Sequence, residues 1–215
     1  MKNKTPYLTK SRYMQGLACA KWLWLGWHEP LPYEEPEEGS IQAVGTAIGV
    51  HAIKLFPSGV LIDEEAWKHE QAIERTASLV ADDSVSSIYE AAFEFDNVRI
   101  RVDVLERLPD GYWGIREVKS STSVKDDYIN DMAVQLYVLE GCNIPISSIE
   151  LVHVNNQYVY QGGDIDWNQF FIRANCRDQV IEQVEQVPQQ VQLLHEVMRR
   201  ESSPDISAGP KCSSY

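Results

Sequence analysis

Asp103, Glu117 and Lys119 are the residues whose types and spacing suit chemistry. They lie within VRIRVDVLERLPDGYWGIREVK, residues 98–119. Two carboxylates at close range repel unless a cation lies between them, and hard cations such as Mg²⁺ prefer oxygen ligands. A metal held there lowers the pKa of bound water and neutralises a phosphate oxygen. A neighbouring lysine orients that water or stabilises developing negative charge. A lone E-x-K triplet on a strand is more often an exposed charge pair, so the argument rests on what brings Asp103 to it.

That element is a β-hairpin. Val98, Ile100, Val102 and Val104 alternate with Arg99, Arg101 and Asp103, the period of a half-buried strand. Pro109-Asp110-Gly111 is a turn, because proline presets φ and glycine accepts a positive one. With Gly111 in the left-handed position, Leu108 pairs with Tyr112. Counting back places Asp103 opposite Glu117 and Arg101 opposite Lys119. Side chains at i and i+2 share a face, so Glu117 and Lys119 point the same way.

The chain has 215 residues, 44% apolar and 24% charged. This is an ordinary globular composition for one medium domain, or one with an appendage. It holds no run of about 18 apolar residues, so no membrane span or membrane partner is expected. The start, MKNKTPYLTKSRYMQG, lacks the apolar stretch of a signal peptide, and a cytoplasmic location is expected. The net charge of −13 argues against a broad non-specific grip on nucleic acid. It leaves room for a small basic channel, since Arg99, Arg101, Lys119 and Lys125 gather around the hairpin. Cys19, Cys142, Cys176 and Cys212 show no C-x-x-C spacing, and spacing alone makes each a buried free thiol.

The elements around the hairpin follow from periodicity and punctuation. Thr9 or Ser11 caps a short helix, followed by Trp22, Trp24 and Trp27 as core. Residues 29–39 form a Pro- and Glu-rich loop. Ser40 caps a helix over 40–56, in which Gly45 and Gly49 admit another backbone and His51 follows on the next turn. A second helix is expected from Asp63 to about Val80, with Ala66, Trp67, Ile73 and Val80 inward. A strand over 89–95 turns at Asp96-Asn97 into the hairpin. A helix over about 126–140 carries Tyr128, Asp131, Gln135 and Leu139 near one side. Ile149–Val154 and Gln157–Tyr160 read as a second hairpin around Asn155-Asn156. Trp167 to about Arg200 is helical, kinked or split at Pro188. Three segments result: 1–39, an N-terminal helical part with the acidic loop; 40–165, the core; and 166–215, C-terminal helices and tail. The fold class is α/β, an αβββαβ core whose mixed central sheet is flanked by helices.

With Asp103 on the second strand, Glu117-Val118-Lys119 on the third and Gln135 on the next helix, the chain resembles the PD-(D/E)xK nuclease superfamily. Within it, the RecB-like branch that includes CRISPR-associated exonucleases is the nearer likeness. The resemblance covers roughly residues 7–160 and implies a restriction-endonuclease-like core. It implies that His51, in the context Gly45-x-x-x-Gly49-Val50-His51, is a metal ligand together with Asp103, Glu117 and the carbonyl of Val118. It also implies that Lys119 is catalytic and that Gln135 supports site and substrate. The branch pairs that glutamine with a tyrosine four residues on. Here Tyr137 follows after two, and Tyr128 is the other candidate; Arg101 is a further supporting residue. The branch binds a four-iron cluster through one early and three late cysteines. Cys19 matches the first and Cys212 the start of the late group, while the last two are absent, so a [4Fe-4S] cluster is expected only in a longer chain.

The expected activity is Mg²⁺- or Mn²⁺-dependent hydrolysis of DNA, and the resemblance implies single-stranded ends as substrate; His51 would favour Mn²⁺. The alternatives are a catalytically inactive module of this fold that binds nucleic acid or protein, and a metal-dependent hydrolase of small phosphoesters.

Overall fold

Val98–Arg107 (β4) is the strand on which the rest is built. In this computed structural model, which describes residues 6–32 and 35–206, β4 pairs on one side with a single strand and on the other with two. In chain order the elements before it are β1 (Leu8–Thr9), α1 (Lys10–Ala18), α2 (Ala20–His28), α3 (Ile41–Ala52), β2 (Val60–Leu61), α4 (His69–Val80) and β3 (Ser87–Phe95). After it come β5 (Trp113–Lys119), α5 (Asp126–Gly141), β6 (Ile146–Val154), α6 (Trp167–Phe170), β7 (Phe171–Asn175), α7 (Arg177–Val184) and α8 (Val187–Arg199). The sheet has seven strands in the order β2-β3-β4-β5-β6-β7, with β1 added beside β4. It is mixed: β2/β3, β5/β6 and β1/β4 run parallel, the other pairs antiparallel. This is an α/β fold, and α4-β3-β4-β5-α5-β6 is the expected αβββαβ order.

The hairpin turn sets its register as anticipated. Leu108 donates its N–H to the Tyr112 carbonyl (2.8 Å), Gly111 has φ +83°, and the ladder runs from Arg107–Trp113 to Val104–Arg116. The alternation along β4 does not run through, however. Val98, Ile100 and Val102 join the main core, but Val104 joins a second cluster with Ala52, Phe56, Tyr89, Val152 and Phe171, while Leu105 returns to the first. The slip falls at Asp103. Its neighbour across the β3 ladder, by the flanking pairs Tyr89–Val104 and Ala91–Val102, is Glu90, held at φ +56°. A left-handed non-glycine residue in mid-strand costs energy, and such outliers concentrate at working sites.

Helix α5 supplies Met132, Ala133, Leu136 and Leu139 to the main core. Helices α1, α2, α7 and α8 extend that core, which draws on all three segments read from the sequence. The Trp24 indole donates to the Arg200 carbonyl (3.0 Å), tying N-terminal to C-terminal helices. The side chains of Thr9 and Ser40 cap α1 and α3, accepting from Arg12 and Ala43 N–H.

Several expectations are corrected, while the split at Pro188 is as expected. Helix α4 starts at His69, after a short 3-10 turn, rather than at Asp63, and Trp67 is 76% exposed instead of inward. Residues 157–160 form no strand: Asn155 takes its N–H to the Phe170 carbonyl, and the partner of β6 is β7, inside the run read as helical. Pro188 splits that run, in the first turn of α8, where a missing N–H costs nothing. Gly45 and Gly49 do not meet another backbone, since a Cβ at either would have nothing within 4 Å.

Candidate functional site

The site is a gap in the sheet. One edge of β4 pairs with β1 at Val98 and Arg99 and with β5 from Val104 onward. Between them the edge is open, because β5 leaves β4 after Arg116 and continues along β6, with Glu117 beside Leu151 and Lys119 beside His153. The N–H freed at Val118 is taken by the Asp103 carboxylate (Oδ2, 2.8 Å). Into this gap comes Lys10, the residue directly after β1.

Lys10 Nζ lies 3.1 and 3.0 Å from the two Glu117 oxygens, 3.4 Å from Asp131 Oδ1 and 3.7 Å from Asp103 Oδ1. Lys119 Nζ donates to Glu117 Oε1 (2.6 Å) and Asp131 Oδ2 (2.7 Å). From α5, one turn beyond Asp131, Gln135 Nε2 donates to Glu117 Oε2 (2.8 Å). Glu117 is 1% exposed and is thus buried between two ammonium groups and an amide. Three carboxylates and two lysines leave one negative charge in excess.

The pKa directions follow from that imbalance. Burial pushes the Asp103 carboxyl up, the charge of Glu117 adds to it, and Lys10, Lys119 and the Val118 N–H only partly offset them, leaving it at about 7. Burial and then Glu117 also raise Asp131. Burial acts on Glu117 in the same direction, but Lys10 and Lys119 overcome it and hold the group below the ordinary carboxylate range. Desolvation would lower both ammonium groups, yet the carboxylates around them keep each above its ordinary value. Groups shifted apart by burial plus named charges, beside an open cleft, are what reactive sites look like.

Two clefts meet at the lysines. One, of about 560 Å³, runs between the sheet and α3 and is lined by Gln42, Gly45, Gly49, Asp103, Glu117 and Lys119 among others. The other, of about 600 Å³, lies between α1 and α5, against Ser11, Met14, Gln15, Trp22, Asp127 and Asn130. Lys10 and Lys119 line both.

The structure brings Asp103, Glu117, Val118, Lys119 and Gln135 together. It does not bring His51. That ring stacks on Trp167 (centroids 4.7 Å apart, planes at 14°), and its Nδ1 is buried without a hydrogen-bond partner. The reason is angular. Gln42, Gly45, Thr46, Gly49, Val50 and Ile53 form the face of α3 that lines the cleft. At about 100° per residue, His51 is turned some 200° from Gly49, to the far side of the helix. Tyr128 stands near the site, its ring centroid 5.5 Å from Lys119 Nζ. Tyr137 does not: its hydroxyl donates to Asp96 Oδ2 (3.1 Å) and its ring meets Phe95 edge-on. Arg101 is a tether, donating to the Ile62, Glu64 and Glu90 carbonyls, and does not face Lys119. Cys142 and Cys176 are free thiols; Cys19 is buried between α1 and α2 and is not one of them. Cys212 lies outside the described residues.

Sequence reasoning placed Asp131 on the Gln135 side of its helix without giving it a role, and passed over Lys10. Asp131 had a signal, since it precedes Gln135 by four residues and so shares its helix face. Lys10 had none beyond following a capping threonine.

Among the described residues, no three His, Cys, Asp or Glu side chains are gathered as a metal-holding group. The carboxylates close instead on the Lys10 ammonium, at hydrogen-bond rather than metal–ligand distances. The donor set nevertheless suits a hard divalent cation: all oxygen, partly buried and under-neutralised. Asp103 and Glu117, with the Val118 carbonyl between Glu117 and Lys119, are the residues that would hold one.

No known protein-family model matches this chain, and no curated protein does. Among solved structures, 12 chains match. One, described as "Crystal structure of SSO0001", is 10% identical, spans 90% of this chain and 78% of its own length, and aligns with a TM-score of 0.34. A likeness of that size carries no argument about function. No helix of the described residues is long and apolar enough to cross a membrane.

Proposed function

We propose that this protein is a metal-dependent deoxyribonuclease of the PD-(D/E)xK type that hydrolyses phosphodiesters, with single-stranded DNA ends as its substrate. One observation supports this reading above others: Asp103, Glu117, Lys119 and Gln135 converge from β4, β5 and α5 on one acidic, cleft-facing pocket. Asp103, Glu117 and the Val118 carbonyl would hold Mg²⁺ or Mn²⁺. The bound ion supplies a Lewis acid for the phosphoryl oxygen and a water of lowered pKa. Lys119 orients the attacking water and stabilises the charge that develops on phosphate. Gln135 fixes the Glu117 carboxylate.

Cleavage of end-labelled single-stranded DNA in Mn²⁺ tests it. Wild type cuts, and Lys119→Ala cuts at least about 100-fold more slowly, the usual scale for a lost electrostatic or acid–base group. Equal cutting by Lys119→Ala removes Lys119 from the mechanism. The position of Lys10 favours a second reading, a non-catalytic binding module in which an internal ammonium group stands among the acids. DNA binding by wild type without any metal-dependent turnover, unchanged in Glu117→Ala, establishes that one instead.

A further inference from the structure

We propose that the Lys10 ammonium and a divalent cation held by Asp103, Glu117 and the Val118 carbonyl are alternative occupants of one cradle, which Asp131 closes from α5. Entry of the cation drives the Lys10 side chain into the cleft between α1 and α5. This deepens the metal-dependent reading of the same site and rests on it.

The geometry carries the exchange. Lys10 Nζ is held at 3.0 and 3.1 Å by both oxygens of Glu117, with Asp131 at 3.4 Å and Asp103 at 3.7 Å, so it stands where the three acids converge. Mg²⁺ sits about 2.0–2.1 Å from its oxygen ligands. An ion in the cradle would therefore draw the carboxylates inward by roughly 1 Å onto the place now filled by nitrogen. The two cations exclude each other by volume and by charge. With Lys119 alone beside three carboxylates, the cradle lacks two positive charges. Lys10 supplies one and leaves it acidic, whereas a divalent ion supplies both. Exchange is thus favoured over addition.

The lysine also has somewhere to go. It is the first residue of α1, anchored by β1 and the Thr9 cap, so only its flexible four-carbon stem has to move. The cleft of about 600 Å³ beside it is lined by Ser11, Gln15, Asn130 and the Asp127 carboxylate, which can receive an ammonium group. Lys10 is thus the internal counter-charge of the acid cluster, and its hold on Glu117 sets the threshold at which metal enters.

Two measurements decide it, neither requiring turnover. In calorimetric titration with Mn²⁺, Lys10→Met should bind at least about tenfold more tightly than wild type, because the internal competitor is gone. Equal or weaker binding by the variant overturns the exchange while leaving the metal reading intact. Absence of Mn²⁺ binding in both chains overturns the metal reading, and the exchange with it. In wild type, amine acylation read by mass spectrometry should be slow at Lys10 without Mn²⁺ and several-fold faster with it, relative to exposed Lys68. A Lys10 rate that Mn²⁺ leaves unchanged overturns the proposal even if Lys10→Met does not fold.

Discussion

Arg116 and Glu117 are adjacent on β5, both 1% exposed, and point to opposite sides of the sheet, yet their surroundings are built on different terms. Arg116 donates to Glu106 (2.7 Å) and Ser148 (2.9 Å), with Glu150 3.3 Å away. Arg173 closes the ring from β7, 2.6 Å from Glu150 and 2.9 Å from Glu106. Two arginines meet two glutamates, and the charge cancels. The packing is tight enough that a Cβ at Gly114 would run into the Arg116 guanidinium. Around Glu117 the charge does not cancel, the cations are lysines on flexible stems, and two clefts open onto the cluster. A balanced network that excludes ligands stabilises one conformation. An acid-rich one on an open gap has capacity left for a cation or a phosphate. The difference teaches that burial of charge alone does not mark a working site; net imbalance and access do.

The largest effect expected from this contrast is on stability at the balanced network. Arg116→Ala strands Glu106 and Glu150 with only the half-exposed Arg173. It should cost about 3–5 kcal/mol, or roughly 10 °C in Tm for a chain of this length. Urea unfolding measures it, and a loss under about 1 kcal/mol would show that water already screens the ring. The acid cluster should respond in the opposite direction. The Asp103 carboxyl titrates at about 7 when folded, against about 3.9 in an unfolded chain. Between those values the folded chain holds the extra proton, so stability falls as pH rises through that window. Asp103→Asn keeps an acceptor for the Val118 N–H and removes the charge. Its Tm should rise at pH 8 by about 2–4 °C, about 1 kcal/mol, and by less at pH 5, while Mn²⁺-dependent cutting is lost. A lower Tm at pH 8 would place Asp103 with the structural charges instead.

How much of this was legible in the sequence depends on the range of the forces involved. The β4–β5 register was, because Pro109-Asp110-Gly111 and the alternation around it are local. The Ser40 cap and the helix carrying Gln135 were legible for the same reason. The alternation slip at Asp103 was not, since it needs Glu90, on another strand, to take a left-handed conformation. β7 was hidden because Phe171–Asn175 is a short edge strand, formed by pairing with β6 rather than by its own pattern. Lys10 was hidden most deeply: a strand of two residues has no periodicity, and only its pairing with β4 carries the lysine to acids more than 90 residues away.

The smallest expected effect concerns His51, which stacks on Trp167. Two residues beyond Gly49 on a helix is the opposite side, so one angle from sequence separates the imidazole from the cleft. In the fold its ring covers Trp167, whose other neighbours are Phe170, Phe171 and the Lys54 ammonium. Stacking of this kind contributes about 0.5–1.5 kcal/mol beyond area. The unpartnered, buried Nδ1 offsets part of it, since a buried polar atom without a partner costs about 1–3 kcal/mol. His51→Ala should therefore shift Tm by no more than a few degrees and leave Mn²⁺ affinity within about twofold of wild type. A tenfold loss of affinity in this variant would mean that α3 turns its far side inward when metal binds, and the cradle would then be completed by nitrogen as well as oxygen.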